Sequence, residues 1–375
     1  MLLKKSPLFL LPAFFFSGLL CCFSAVGFSA TDKEIVLKVT SPNGEELKDV
    51  KVYKNYYLQN DKQQGREYTC DHNGLLTLDE NDLFKYEWQR KSVMLYALDE
   101  NTFSGFIDLN SDDLGKNMEL KLSPACKISI KLTSADLKNL GREVNWTNIQ
   151  FSQNNKNILS TATTSGNFEF FLPAGEYNLY IGGAQLYSKF EQIKIQAGQK
   201  ELNLNYDLEA ERIVHLFGKQ SPEIQKMKGW LYSKPLTLKE LRGKVVLIDF
   251  WGTWCGPCVA EIPNMIKLYD TYHDKGLVII GIHDDSLNSI KDLEKKIDEL
   301  SKNNWDNKKI PFPIALDGGG NQNIEGNSRS AKGINTAAYG IQKWPTIIII
   351  DKQGKLIKEY NRKGDTEIIE KLLSE

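Results

Sequence analysis

The sequence predicts a multidomain chain in which N-terminal all-β sandwich modules precede a C-terminal α/β domain. From Ile35 to about Asp207, short runs such as "EIVLKVT", "KISIKLT", "NFEFFLP", "EYNLYIG" and "EQIKIQA" alternate apolar with polar residues between Gly, Asn, Asp and Pro. Period-two alternation at these lengths marks half-buried antiparallel strands. Past Glu209 the rhythm changes. The continuous apolar runs "KVVLIDFW" and "LVIIGIH" alternate with helical patterns, which is the signature of strand–helix–strand layering. The chain has 375 residues, 41% of them hydrophobic and 25% charged, enough for two or three domains with separate cores.

Within the β-rich part, two halves repeat weakly. "SPNGEELKDVKVYK" through "TCDHNGLLTLD" parallels "VNWTNIQFSQ" through "TTSGNFEFFLPAGEYNLYI", with a seam near Ser123-Pro124. Modules over 31–123 and 124–208 are expected. Their turn-plus-strand motifs "NGLLTL" and "SGNFEFFLPAGEY" resemble carboxypeptidase-regulatory-like (transthyretin-like) modules, which implies a spacer role.

The α/β segment, 209–375, reads as follows. A helix runs from Cys258 to about His273, and "SLNSIKDLEKKIDELSK" places Ile290, Leu293, Ile297 and Leu300 on one helical face. "FPIAL" is a strand and "INTAAYGI" is helix-like. Strands "TIIIID" and "KLIKEY" flank a "KQG" turn, and "TEIIEKLLS" is a closing helix.

The formal net charge is −1, from 47 basic and 48 acidic residues, with no basic stripe. That argues against a nucleic-acid partner. At the N-terminus, Lys4 and Lys5 precede an uncharged stretch rich in Leu and Phe, with small residues at Gly27, Ser29 and Ala30. Residues 1–30 read as an export signal cleaved after Ser29. An uncleaved anchor is the alternative, because the stretch is long enough for a bilayer core of roughly 30 Å. Lipidation at Cys21 or Cys22 ranks last. Each reading places the remainder outside the cytoplasm, in the periplasm or on the outer face of a membrane.

Four cysteines remain beyond that segment. Cys70 and Cys126 either pair or stay as buried free thiols in separate cores. A bridge would close a loop of about 57 residues, for roughly 4 kcal/mol in the chain-entropy model. Cys255 and Cys258 differ, because "DFWGTWCGPCVAE" closes only a very small loop, and so reads as chemistry rather than as a staple. A zinc site needs about four ligands, and His72, His215, His273 and His283 are scattered, so no metal is expected and no cofactor is called for. His283 ends a strand near the expected active face and reads as a surface or capping histidine. Asn145-Trp146-Thr147 matches a glycosylation sequon and reads as chance.

The segment from about Phe217 to the C-terminus resembles the thioredoxin superfamily, in its exported TlpA/ResA-like branch. The resemblance rests on "LRGKVVLIDFWGTWCGPC", "EIPNM", "AAYGIQKWPTIIIID" and "DKQGKLIKEY". A peroxidase of the related peroxiredoxin type would want Pro-x-x-x-Thr-x-x-Cys, whereas "FWGTW" precedes Cys255. The long "SKNNWDNKKIPFP…DGGGNQNIEGNSRSAKG" departs from the family pattern, which leaves substrate identity open.

The chemistry implied agrees with the residues. Attack on a disulfide needs a thiolate, and only about 3% of an ordinary cysteine is ionised at pH 7. Cys255, at the start of a helix, meets unpaired N–H groups and the helix dipole, which favour an anion. Gly256 lets the loop approach closely, and Pro257 fixes φ where its missing N–H is no loss. Cys258 is the expected resolving thiol. Asp249, inside an apolar strand, is the expected proton acceptor, with an ion pair to Lys244 as the bland alternative. The resemblance implies that Pro345 is cis and faces the dithiol with Trp344 beside it, and that Pro263 kinks the helix. Trp254, Gly256, Pro257, Trp344 and Pro345 are thus expected to meet the substrate. The function expected is an exported protein-disulfide reductase, served by a disulfide-bearing protein substrate and a membrane thiol electron donor. The rival is a cell-envelope protein whose modules bind a glycan or protein, the dithiol being secondary.

Overall fold

A computed structural model describes residues 31–59, 62–85, 89, 92–164, 166–326, 328–361 and 364–375. The export segment expected at 1–30 lies outside the described residues. Among the described residues, no helix is long and apolar enough to cross a membrane. The chain divides into two compact units. One comprises 65–124 with the described part of 1–55; the other comprises 56–64 and 125–375.

In the first unit, Glu34–Thr40 pairs antiparallel with Leu75–Asp79 and parallel with Asn117–Lys121. Val93–Asp99 pairs antiparallel with Lys51–Gln59 and with Phe103–Leu109. Alternation sorts the side chains: Ile35, Leu37 and Val39 from one sheet join Val52, Val93, Leu95 and Ala97 from the other in a single apolar cluster. Cys70 belongs to that cluster as a free thiol, and burial pushes its pKa up to about 12.

The second unit contains both a β-rich segment and the α/β segment. Lys156–Thr163, Thr147–Gln153, Gly175–Gly183 and Leu186–Ile195 form an antiparallel run in that order. Ser123–Thr133 pairs antiparallel with Asn167–Pro173 and parallel with Glu201–Asp207. Phe151 and Phe170 meet edge to face at 4.9 Å, which joins the two groups of strands. Cys126, opposite Leu172 on the neighbouring strand, is buried and free, its thiol pKa raised by burial. The bridge to Cys70 that the sequence left open is therefore not formed. Each thiol is enclosed within its own unit, where desolvation keeps it neutral.

The α/β segment is built on a six-stranded sheet: β1 (Gly229–Leu231), β2 (Val245–Trp251), β3 (Leu277–His283), β4 (Ile314–Leu316), β5 (Thr346–Ile350) and β6 (Leu356–Glu359). Its order is β1-β4-β3-β2-β5-β6, with β2, β3 and β4 parallel and the others antiparallel to their neighbours. Beside a short helix at Arg212–Leu216, the helices that accompany it are α1 (Gly256–Tyr272), α2 (Ile290–Asn304), α3 (Ile334–Tyr339) and α4 (Thr366–Ser374). This is the expected thioredoxin-like arrangement.

All seven residues of β2 are buried, so its apolar run reflects cover on both faces. Val245, Leu247 and Trp251 face a cluster that includes Val259, Ile262 and Met265 of α1, Leu293 and Ile297 of α2, and Ile369 of α4. On the opposite face, Phe250 packs 5.1 Å from Tyr339 of α3. The apolar stripe read for α2 is the one that packs, with Ile290 and Leu300 at its partly buried margins.

One buried carboxylate went unremarked in the sequence. Asp317, directly after β4, is fully buried. It accepts hydrogen bonds from the backbone N–H groups of Gly318, Asn335 and Thr336, from Asn335 Nδ2 and from Thr336 Oγ1, at 2.8–3.2 Å. It thereby ties the start of α3, and the loop leading to Pro345, to the end of the sheet. Asp317→Ala would leave five donors without their acceptor. It should lower the unfolding free energy by about 3–5 kcal/mol in urea titrations. A loss below about 1 kcal/mol would show that those donors find other partners.

Candidate active site

The dithiol stands where β2 turns into α1. Cys255 is the N-cap of α1, and its Sγ accepts the N–H of Cys258 at 3.2 Å. The two cysteines are joined as a disulfide, and both lie in the cluster beneath β2. Cys255 is 5% exposed and Cys258 1%, so Cys255 is the one nearer to an incoming reactant. In the reduced protein, the same helix terminus would stabilise negative charge on Cys255.

Pro257 occupies the first turn, where no N–H is required, and Pro263 lies inside the helix. Around Gly256 the chain leaves open space: a Cβ there would meet nothing within 4 Å. At Gly252 a Cβ would meet the Trp254 indole, and the exposed ring would have to shift. Trp254 lies at the surface. Its ring is 56% exposed, donates Nε1–H to Asp284 Oδ1 at 3.3 Å, and meets Trp344 edge to face at 5.6 Å. The Trp344–Pro345 peptide is cis, and Trp344 packs against the cluster that holds both cysteines.

Asp249 lies in mid-strand, paired with Gly281 of β3 and Ile347 of β5. Alternation gives it the same face as Leu247 and Trp251, the face that packs on α1 and the dithiol. It is 1% exposed, its Oδ1 has no hydrogen-bond partner, and no ion pair joins it to Lys244. Burial, reinforced by the nearby Glu261 charge, pushes its pKa up to about 7. The sequence reading passed over Glu261. The available signal was its place three residues after Cys258, which puts it on the same side of α1.

His283 is wholly buried rather than at the surface. Its Nε2 accepts the Thr253 N–H at 3.0 Å, while Nδ1–H donates to the Asp284 carbonyl at 2.8 Å. The neutral imidazole thus fastens the loop before the dithiol to the end of β3. Burial alone would raise the Asp284 carboxyl, but hydrogen bonds from His283, Ser286 and Trp254 outweigh it and hold the pKa below the usual value.

A cleft of about 760 Å³ adjoins the site, lined among others by Glu261, Pro345, Ile347, Lys343, Glu211 and Glu359. Lys343, two residues before Pro345, pairs with buried Glu211 at 2.6 Å and reaches the Gly183 carbonyl at 3.4 Å. Burial, then the Glu211 charge, raises the pKa of Glu359 in the same cleft. Among the described residues, no three His, Cys, Asp or Glu side chains converge as metal ligands would.

Residues 217–359 match the model of the AhpC/TSA family. The thiol-disulfide oxidoreductase ResA of Bacillus thuringiensis subsp. konkukian is 35% identical over 144 residues, covering 38% of this chain and 69% of ResA. ResA of Halalkalibacterium halodurans is 31% identical over 144 residues, covering 38% and 68% of the two chains. Protein DipZ of Mycobacterium bovis is 34% identical over 156 residues, which cover 41% of this chain but 20% of DipZ. A thioredoxin-like fold that presents a Cys-x-x-Cys disulfide at a helix N-terminus agrees with these likenesses, and the chain belongs to the ResA family of thiol-disulfide oxidoreductases.

Proposed function

We propose that the protein is an exported reductase of protein disulfides, with Cys255 as nucleophile, Cys258 as resolving thiol and Asp249 as proton acceptor. The observation that carries this reading is one of geometry. A cysteine at a helix N-terminus has its partner one turn deeper and a dry carboxyl, titrating near neutrality, on the face that packs against both. Cys255 thiolate attacks a substrate sulfur, breaking the substrate disulfide and releasing one thiolate. Cys258, deprotonated towards Asp249, then attacks Cys255 Sγ and releases the second substrate thiol. Two electrons pass to the substrate and the chain is left as the disulfide seen here. A membrane thiol donor must reduce it again.

Trp254, Gly256, Pro257, Trp344 and Pro345 form the surface that meets the substrate. Exposed Trp254 and its contact with Trp344 support that role. Export rests on the leader-like residues 1–30 and accords with a dithiol that needs an external reductant. The modules over 31–123 and 124–208 are read as carboxypeptidase-regulatory-like sandwiches that carry the α/β domain, 209–375. Paired sheets burying one common cluster support the sandwich reading in the first of them.

Cys255→Ser should abolish reduction of a generic protein disulfide, whereas Cys258→Ser should accumulate mixed disulfides through Cys255. Mass spectrometry of the trapped species checks the assignment, and trapping through Cys258 would reverse it.

Asp249 accepts a proton only when ionised, so resolution should quicken as pH rises through about 7. Asp249→Asn should lose that inflection and resolve slowly in stopped-flow turnover. Rates equal to wild type from about pH 6 to 8 would remove Asp249 from the mechanism.

The same group shapes stability. Its folded pKa of about 7 lies above the ordinary 3.8, so the folded chain binds the proton more tightly. The resulting stabilisation is fully present below about pH 4 and is lost as pH rises through about 7, a change on the order of 4 kcal/mol. In the disulfide form, Asp249→Asn should flatten this slope and be more stable than wild type at about pH 8, as read by urea melts at several pH values. An unchanged slope would mean that Asp249 is not the titrating group.

A further inference from the structure

The outward face of the β-rich segment in the second unit carries side chains that the redox chemistry does not use. Register along Thr147–Gln153, Gly175–Gly183 and Leu186–Ile195 sets Gln150, Tyr180 and Phe190 side by side in one row. Ser152, Asn178 and Gln192 form the next row. Their neighbours Ile149, Phe151, Leu179, Ile181 and Ile193 are buried, so the six share the solvent face and border a groove of about 530 Å³.

The rows have an organised shape. Phe190 is 76% exposed, more than any other large apolar side chain among the described residues, and folding gains nothing from leaving it there. Its ring lies 4.9 Å from that of Tyr180. Tyr180 is pressed over Gly182, where a Cβ would collide with its ring, and its hydroxyl bonds Ser188 Oγ at 3.1 Å. Gln192 Nε2 donates to Asn178 Oδ1 at 3.2 Å, which orients the two amides. Neither row carries a formal charge; Glu191, which also lines the groove, pairs with Lys189 at 3.4 Å, and the adjoining Glu176–Lys194 pair, at 2.7 Å, neutralises itself.

We propose that this face binds a neutral oligosaccharide. Aromatic ring faces suit the C–H face of a pyranose, and side-chain amides offer donors and acceptors together, as vicinal hydroxyls require. A nucleic acid would need unpaired cations for its phosphates, and a lipid surface a broad apolar patch with a basic rim. The rows offer neither.

The test is calorimetric titration of the full chain with cellopentaose, maltopentaose, mannopentaose and chitopentaose, with a heparin pentasaccharide as the anionic comparison. At least one neutral probe should bind with a Kd of about 1 mM or tighter. Phe190→Ala and Asn178→Ala should each weaken that binding about tenfold or more while protein-disulfide reduction and the thermal melt stay as in wild type. No binding of any neutral probe up to about 10 mM would overturn the proposal. So would wild-type affinity in Phe190→Ala, or a preference for heparin.

Discussion

Desolvation of a single strand governs the chemistry of this protein. β2 is buried along its whole length, and water is excluded from both of its faces. An apolar residue in that setting contributes stability, whereas a carboxyl there holds its proton until about neutral pH. The same strand delivers Cys255 to the start of α1, where unpaired N–H groups supply the opposite influence and favour an anion. One strand and the helix that follows it thus hold two groups, Asp249 and Cys255, under opposed electrostatic conditions.

Around that strand, the loops are fixed by buried polar side chains that bond both backbone and side-chain groups. His283 holds Thr253, Asp284 holds the Trp254 indole, and Asp317 holds the first turn of α3. Each is buried and each spends its hydrogen bonds on chain that would otherwise be irregular. The loop is therefore held from beneath, while Trp254, Gly256 and Pro257 are exposed.

The elements whose burial follows from local pattern were legible in the sequence. The strand "KVVLIDFW", the stripe Ile290–Leu293–Ile297–Leu300, the Cys-x-x-Cys at a helix start and Asp249 as a charge in an apolar run all rest on spacing of a few residues. What escaped depends on distant chain. His283 reads as a surface residue because nothing near it in sequence shows that it will face the Thr253 amide 30 positions away. Asp317 sits in a Gly-rich stretch that looks like loop, and its donors arrive 18 and 19 residues later. For Cys70 and Cys126 the sequence left both a bridge and buried free thiols open, and each is a free thiol in its own unit's interior.

The Lys343–Glu211 pair bears on how such a protein is taken apart and recombined. Lys343 belongs to the shared domain, but Glu211 and the Gly183 carbonyl precede residue 217, where the match to the AhpC/TSA family begins. Homology therefore draws its border through a mechanical joint. A catalytic domain excised along that border, or grafted onto another carrier, would lose this ion pair, and Glu359 would lose a carboxylate neighbour that, after burial, raises its pKa. A fragment that keeps this joint intact therefore begins upstream of Gly183.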